Sequence, residues 1–348
     1  MKDLRKISAK KTVLIYNYYD GILVRGVIAQ VNNLVFVLEE NDVEHKVVRC
    51  PAWLRWFPKH GVLFHFMEQF IVPILGLSYD VVIYPYNSAS IFAPLHRGSL
   101  LVVHDFILHR RKVPGYWKMS AVLVRVTQWF YCLFNGDVAF ITPHVERQAL
   151  FLGRFERARR FLLPNCFRSF EHDASRRGSA IHGDYVLLCS GAVPSKDLRG
   201  ALTHYRESAA LSRHPLVILG LGKARADARE IAIELGIDPG RLTALGLVSQ
   251  DELIDLYKKA ALVWVHSLHE GFGRNLAEAV TCGKSVLASR IPPFKAQARD
   301  NRNIFLYENH VAASLEVAAD QCAAHVFTPE PVDVSYDVLL RNLEKILN

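Results

Sequence analysis

The sequence predicts an α/β fold of two Rossmann-like domains facing across a cleft. Three observations lead there. Short apolar runs alternate with segments of helical period along the whole chain, the pattern of parallel sheets covered on both faces. The chain has 348 residues, more than one hydrophobic core usually organises. One polar, aperiodic stretch, FEHDASRRGSAIHGD from Phe170 to Asp184, carries Gly178 and Gly183 and divides the chain near its middle.

In the first half, strands are expected at 12–18, 34–38, 81–85, 99–103 and 137–141, with helices near 62–75, 119–134 and 144–152. In the second half, strands at 185–190, 215–219, 241–245, 261–266, 285–289 and 303–307 alternate with helices near 197–210, 223–235, 249–259, 276–282 and 311–322. The expected organisation is a first domain at 1–170, a linker at 171–184, a second domain at 185–330, and a closing segment at 331–348. The helix of that segment, Ser335 to Leu347, would return to the first domain. Ligands of such sheets bind at the carboxyl ends of the strands.

Composition narrows the function. Apolar residues make up 51% and charged residues 22%, which fits a globular chain and not a disordered one. The six cysteines form no C-x-x-C pair and are expected to be reduced thiols of a cytoplasmic protein. The histidines show no H-E-x-x-H spacing, so no metal is expected. Thr12 to Tyr18 follows a basic stretch, as in a signal peptide, but is too short for one and is expected to be a buried strand. No run reaches the ~18 uninterrupted apolar residues of a membrane span.

The net charge of +8 is unevenly placed. Residues 1–165 hold 21 Lys and Arg against 12 Asp and Glu, whereas residues 166–348 hold 21 against 22. An anionic partner of the first half, or a solvated basic face, would account for this. Aromatic and basic residues interleave in RCPAWLRWFPKH (49–60) and HRRKVPGYWK (109–118). That mixture suits an anionic membrane surface, or core aromatics beside solvated charges. No nucleic-acid-binding module is recognisable, so no nucleic acid is expected as partner.

The chemistry concentrates at residues 267–289, SLHEGFGRNLAEAVTCGKSVLAS. A strand leads into the loop HEGFG and then into a short helix, with Asn275 as expected N-cap and Gly283 as stop. Gly271 and Gly273 allow close approach of backbone to a ligand. The first amides of the helix would then meet an anion, for which a diphosphate is the natural candidate. Glu270 and Glu278 are poor diphosphate ligands, but carboxylates accept well from sugar and ribose hydroxyls.

This string resembles the family-4 retaining glycosyltransferases of the GT-B fold, whose signature is roughly E-G-F-G-x-x-x-x-E-A. Other features match in order: VHDF around His104, PNCF at 164, SGAVPSKDL at 190, LVILGLG at 216 and LGLVSQDEL at 245. The resemblance implies that Glu270 contacts the transferred sugar and Glu278 the nucleotide ribose. It also implies that Gly271, Phe272, Gly273 and Val248 line the donor. Lys196 would neutralise the leaving diphosphate, or is a surface lysine. Where the family usually has an Arg before this Lys, the chain has Ala192 and Val193, and Arg274 is the candidate for the missing charge. Gln297 or a neighbour stands where the family often has a Glu. Gly220 and Gly222 lack the third glycine of a dinucleotide fingerprint and imply strand-to-helix packing, not NAD.

In the first half, His104 closes the strand 99–103. By resemblance it contacts the sugar or the reacting centre; the alternative is a hydrogen-bonded core histidine. Asp105 is expected to cap a loop. Gly21 would hold a loop near the donor phosphates, or serve a plain turn. The expected activity is hexosyl transfer with retention, without cofactor or metal. The donor would be a nucleotide-diphosphate sugar, GDP-mannose by family frequency. The acceptor would be a glycan or a lipid-linked molecule in surface polysaccharide or lipopolysaccharide biosynthesis, at the inner face of the plasma membrane. A non-catalytic nucleotide-sugar-binding subunit, a nucleotide-sugar epimerase and a phosphorylase are the rivals.

Overall fold

The computed structural model describes residues 11–20, 26–56, 59–107, 118–178, 183–191, 193–299, 301–328 and 334–348. Gly21, Ala192 and most of 109–118 lie outside them. The chain divides into two units. The first comprises Met1–Cys166 and Asp333–Asn348, the second Phe167–Val332.

The first unit is built on six parallel strands: β1 (Val13–Tyr16), β2 (His45–Val48), β3 (Val81–Tyr84), β4 (Ser99–Val103), β5 (Asp137–Phe140) and β6 (Arg160–Leu162). Their order across the sheet is β2-β1-β3-β4-β5-β6, with Ile15 opposite Val47 on one side and Ile83 on the other. β1, β3 and β4 are buried throughout, as sheet centres covered on both faces must be. The closing helix Val334–Leu347 packs on this unit. The Leu162 amide donates to Asn342 Oδ1 (3.3 Å) and Tyr336 Oη to Glu40 Oε2 (3.1 Å).

The second unit carries β7 (Val186–Cys189), β8 (Leu216–Leu219), β9 (Leu242–Ala244), β10 (Leu262–Val265), β11 (Val286–Ser289) and β12 (Ile304–Tyr307). They are parallel, in the order β12-β11-β10-β7-β8-β9. Successive strands run outward in one direction from β7 and in the other from β10, which is the doubly wound order of a Rossmann fold. Trp264, Leu187, Val263 and Leu287 are fully buried at its centre. Each such side chain contributes about 1.5–3 kcal/mol by leaving water.

Three expectations need correction. The stretch 34–38 is not a strand but part of the helix Gly26–Glu40. Its buried residues Ile28, Val31, Leu34 and Leu38 recur with helical period over a longer window. The first part of the expected linker 171–184 is helical instead: the second unit already begins at Phe167, and Arg168–Arg176 is a helix. Phe170 and Ala174 face its core, and Lys258 Nζ donates to the Ala174 carbonyl at 2.7 Å. Last, β2 and β6 were not expected at all. Both are short edge strands with half-exposed residues, and so show no apolar run.

Candidate functional site

In a doubly wound sheet a ligand sits where neighbouring strands send their connections in opposite directions. In the second unit that point lies between β7 and β10. The loop after β7 holds Lys196, and the loop after β10 holds Glu270. The two loops are stitched together at Ser195, whose carbonyl accepts from the Leu268 amide (2.8 Å) and from Ser267 Oγ (3.0 Å). Ser267 Oγ also lies 3.3 Å from Glu270 Oε1. Across this junction Lys196 Nζ and a Glu270 carboxylate oxygen form an ion pair, with both side chains mostly buried.

Lys196 precedes Asp197, which takes a left-handed conformation (φ 40°) and caps the helix Leu198–Glu207 by accepting from the Gly200 amide (3.2 Å). Behind Asp197 stands His266, 1% exposed. Its Nε2 is 3.7 Å from Asp197 Oδ2, and its Nδ1 is 2.5 Å from Tyr307 Oη. Burial lowers the His266 pKa below its ordinary 6.5 despite that carboxylate. His266 and the Gly200 amide in turn hold the Asp197 carboxyl below its usual range.

Glycine is required at position 273 on two counts. Its φ of 89° disfavours any L side chain, and a Cβ there would lie 2.1 Å from the Phe294 ring. The helix Arg274–Thr281 starts directly after it, so Gly273 and not Asn275 is the N-cap. Gly273 brings no side chain to that start, where the amides and the helix dipole favour an anion. The preceding turn is held by Gln297, whose Nε2 donates to the Phe272 carbonyl at 2.7 Å. Gln297 thus supports the loop.

Glu278 lies inward from this turn, 6% exposed. It accepts from Arg274 (3.1 Å) and from Tyr257 Oη (3.2 Å), and Cys189 Sγ donates to Tyr257 at 3.8 Å. Burial raises Tyr257 well above its ordinary pKa and pushes Cys189 up to about 12, so both keep their protons for these bonds. Arg274 also lies over the Phe167 ring (4.7 Å to its centroid), and Phe167 stacks on Phe272. Its guanidinium thus lies between Glu278 and Phe167, in the first turn of the helix that starts at Gly273. Val248 follows β9, separated from β7 by β8, and packs on the core. Gly220, at φ 89°, would place a Cβ 2.5 Å from the Ser190 carbonyl, so its close approach is to the backbone at the end of β7 and not to a helix.

The first unit has its own switch point, between β1 and β3. Polar side chains fill it. Tyr86 Oη donates to Asn17 Oδ1 (2.7 Å), Asn17 Nδ2 to Asn32 Oδ1 (3.1 Å), and Gln128 Nε2 to the Asn87 carbonyl (2.9 Å). His104 follows β4, 7% exposed; its Nε2 donates to the Pro85 carbonyl at 2.8 Å and its amide to Asn87 Oδ1 at 2.6 Å. Asp105 Oδ1 caps its loop, accepting from the Ile107 amide at 3.0 Å. Glu68, fully buried, accepts from Ser88 Oγ at 2.6 Å and from Gln69 at 3.3 Å. Glu68 gave no signal in the sequence beyond a charge interrupting an apolar run.

Residues 171–322 match the family described as Glycosyl transferases group 1. The second unit carries a group 1 glycosyltransferase domain. Among curated relatives, O-antigen chain mannosyltransferase B of Escherichia coli is 31% identical over 109 residues, covering 31% of this chain and 29% of that protein. The D-inositol 3-phosphate glycosyltransferase of Rhodococcus jostii is 37% identical over 92 residues, covering 26% and 20%. The chain thus matches under a third of the length of these relatives. Two solved structures extend the likeness of fold to 97% of the chain and 94% of theirs. They are Anabaena HepE in complex with UDP and glucose (TM-score 0.62, 16% identity) and the Thermosynechococcus elongatus sucrose-phosphate synthase (TM-score 0.64, 15% identity). The group 1 domain contains Lys196, Glu270, Gly273 and Glu278. The expected α/β fold of two Rossmann-like domains is the fold observed.

Proposed function

We propose that this chain is a retaining glycosyltransferase that moves a hexose from a nucleoside-diphosphate sugar to a glycan or lipid-linked acceptor. The observation that carries this reading is the Lys196–Glu270 pair at the β7/β10 switch point, beside the helix start at Gly273. A lysine and a glutamate held together there are complementary to the two halves of such a donor. Lys196 and the helix amides fit the diphosphate, and Glu270 fits a sugar hydroxyl. Donor binding would give each side chain a new partner in place of the other.

The transfer needs the bond between the anomeric carbon and the diphosphate oxygen to break. The acceptor oxygen then bonds to that carbon from the same face, and its proton passes to the departing diphosphate. Lys196 and the amides hold the charge that develops on the leaving group, the kind of contact that is usually the largest in catalysis. Glu270 orients the sugar, Glu278 the nucleotide through a ribose hydroxyl, and His104 acts from the first unit. No metal is required in this scheme, and Val248 is proposed as a backbone contact of the donor; Gly21, the other such expectation, lies outside the described residues. The E. coli relative is named a mannosyltransferase and HepE was solved with UDP. GDP-mannose is accordingly the first donor to try and UDP-sugars the second. The O-antigen chain in that relative's name favours a surface-polysaccharide acceptor; the cytoplasmic side of the membrane is where such a chain would be expected to work.

Thermal-shift titration with GDP, UDP, dTDP and ADP tests the site. A ligand at 100 times its Kd stabilises by about 2.7 kcal/mol, and no shift with any of the four rejects the assignment. Product analysis then separates transfer to an acceptor from an epimerised free donor or phosphate-dependent cleavage. Binding without turnover would favour a non-catalytic subunit, the reading supported by apolar Ala192 and Val193 where the family usually has an Arg.

A further inference from the structure

Two helices of the first unit leave apolar stripes in water. In the helical stretch His60–Gly76 the inward side chains are Phe64, Glu68 and Val72, each four residues apart. The opposite face carries Val62, Phe66, Phe70 and Ile74, again four apart and each more than half exposed. In the helix Lys118–Leu133 the inward residues include Val124, Gln128 and Tyr131, and Val122, Val126, Trp129 and Leu133 are exposed. Among the described residues these outward stripes are left largely in water, which costs solubility unless something covers them.

Both stripes look the same way. The first helical stretch connects β2 to β3 and the second connects β4 to β5, in the same direction across the sheet. Right-handed crossovers therefore set them on one face of it. Their inward glutamines meet the same loop after β3: Gln69 donates to the Ala89 carbonyl (3.0 Å) and Gln128 to the Asn87 carbonyl (2.9 Å). Just before the first stripe, Trp53 and Trp56 are 77% and 92% exposed, and Arg55 and Lys59 are exposed beside them.

We propose that this face docks on an anionic lipid bilayer. Charge decides for lipid over a second copy of the chain. Within 53–77 and 118–134 the cations are Arg55, Lys59, Lys118 and Arg125, and the only acid is the fully buried Glu68. Two such faces would repel each other. A leaflet with anionic headgroups supplies apolar interior for the stripes and counter-charge for the cations, with indoles at the boundary between them. Attachment is peripheral, since no helix among the described residues is long and apolar enough to cross a membrane.

Co-sedimentation with vesicles of phosphatidylcholine, with and without phosphatidylglycerol, tests this on the full chain. The protein binds the anionic vesicles at low salt, and binding weakens as salt screens the charges. Phe66→Ser with Phe70→Ser lowers partitioning about tenfold or more. Arg55→Glu with Lys59→Glu lowers it about tenfold. Ile233→Ser with Val317→Ser, at exposed positions of the second unit, leaves it unchanged. Brominated lipid quenches the tryptophan emission of wild type, which keeps the test open if the Phe66/Phe70 variant fails to fold. Absence of anionic preference in wild type, or full binding by both variants, overturns the proposal. A dimer that dissociates on Phe66/Phe70 substitution, without vesicle binding, assigns the face to a second copy instead. Nucleotide thermal shifts of the charge variant should match wild type, so this proposal and the donor site fail independently.

Discussion

The two units share one architecture and differ in what they do with its edges. Each has six parallel strands and a switch point at the carboxyl ends. At the first unit's switch point asparagine, tyrosine and glutamine side chains bond one another or nearby backbone. At the second, Lys196 and Glu270 face each other, with a glycine and a helix start alongside. Outer surfaces differ as well: the first unit exposes Phe66, Phe70, Trp56 and Trp129, and the second exposes few large apolar side chains. The shared sheet supplies position only. The loops and the outward helix faces decide whether a unit offers chemistry or a surface.

The largest expected effect tests whether Glu278 belongs to the framework of the second site. Its side chain and that of Arg274 are 8% and 11% exposed. Removing one partner of a buried pair costs about 3–5 kcal/mol, so Glu278→Ala should lose that much in urea unfolding. Any loss of nucleotide affinity must then be measured on Glu278→Gln, which keeps the shape. A Glu278→Ala variant as stable as wild type would mean that the pair holds nothing together.

Glu270→Gln comes next. It removes charge where the sugar should bind, and transfer should drop about 100- to 1000-fold with nucleotide affinity nearly unchanged. Wild-type turnover in this variant would erase the chemical difference between the two switch points.

Glu68 is the counterpart in the first unit, a carboxylate with no exposed surface. Glu68→Ala takes away the acceptor of Ser88 Oγ and should cost about 1–3 kcal/mol, with the nucleotide affinity of the second unit untouched. Coupled loss of GDP or UDP binding in a titration would show that the units do not divide the work in this way.

The smallest effect is a pH dependence. The folded state holds the His266 pKa below its ordinary 6.5. Below that value the unfolded chain binds a proton that the folded chain resists, so stability is full above about pH 6.5 and falls as pH drops. Asp197, also lowered, acts in the same direction but only near the lower carboxylate range. Melting temperatures between pH 7.5 and 5.5 should therefore decline less steeply in His266→Gln than in wild type. Equal slopes would remove His266 from the account.

Much of the second unit was legible in the sequence. Its strands are continuous apolar runs, and the two glutamates eight residues apart, with glycines between, mark the loop and helix that follow β10. The first unit was harder to read. LVFVL at 34–38 looks like a strand in a short window, and its helical period shows only over Gly26–Glu40. The helix Arg168–Arg176 buries only Phe170 and Ala174, too few apolar residues to stand out from a linker.

The sequence by itself determined the alternation of strand and helix, hence the parallel sheets, and placed the charged and glycine-rich loops after β7 and β10. Those are local properties: burial on both faces demands apolar runs, and tight turns demand glycine. Only the tertiary structure decided the partners. Lys196 and Glu270 are 74 positions apart in the chain and meet because β7 and β10 are neighbours at the switch point. Arg274 turns inward because Glu278 and Phe167 are there to receive it. The apolar stripes at 62–74 and 122–133 have the same period as core helices. Which side of each helix faces the sheet is set by packing, and packing left these in water.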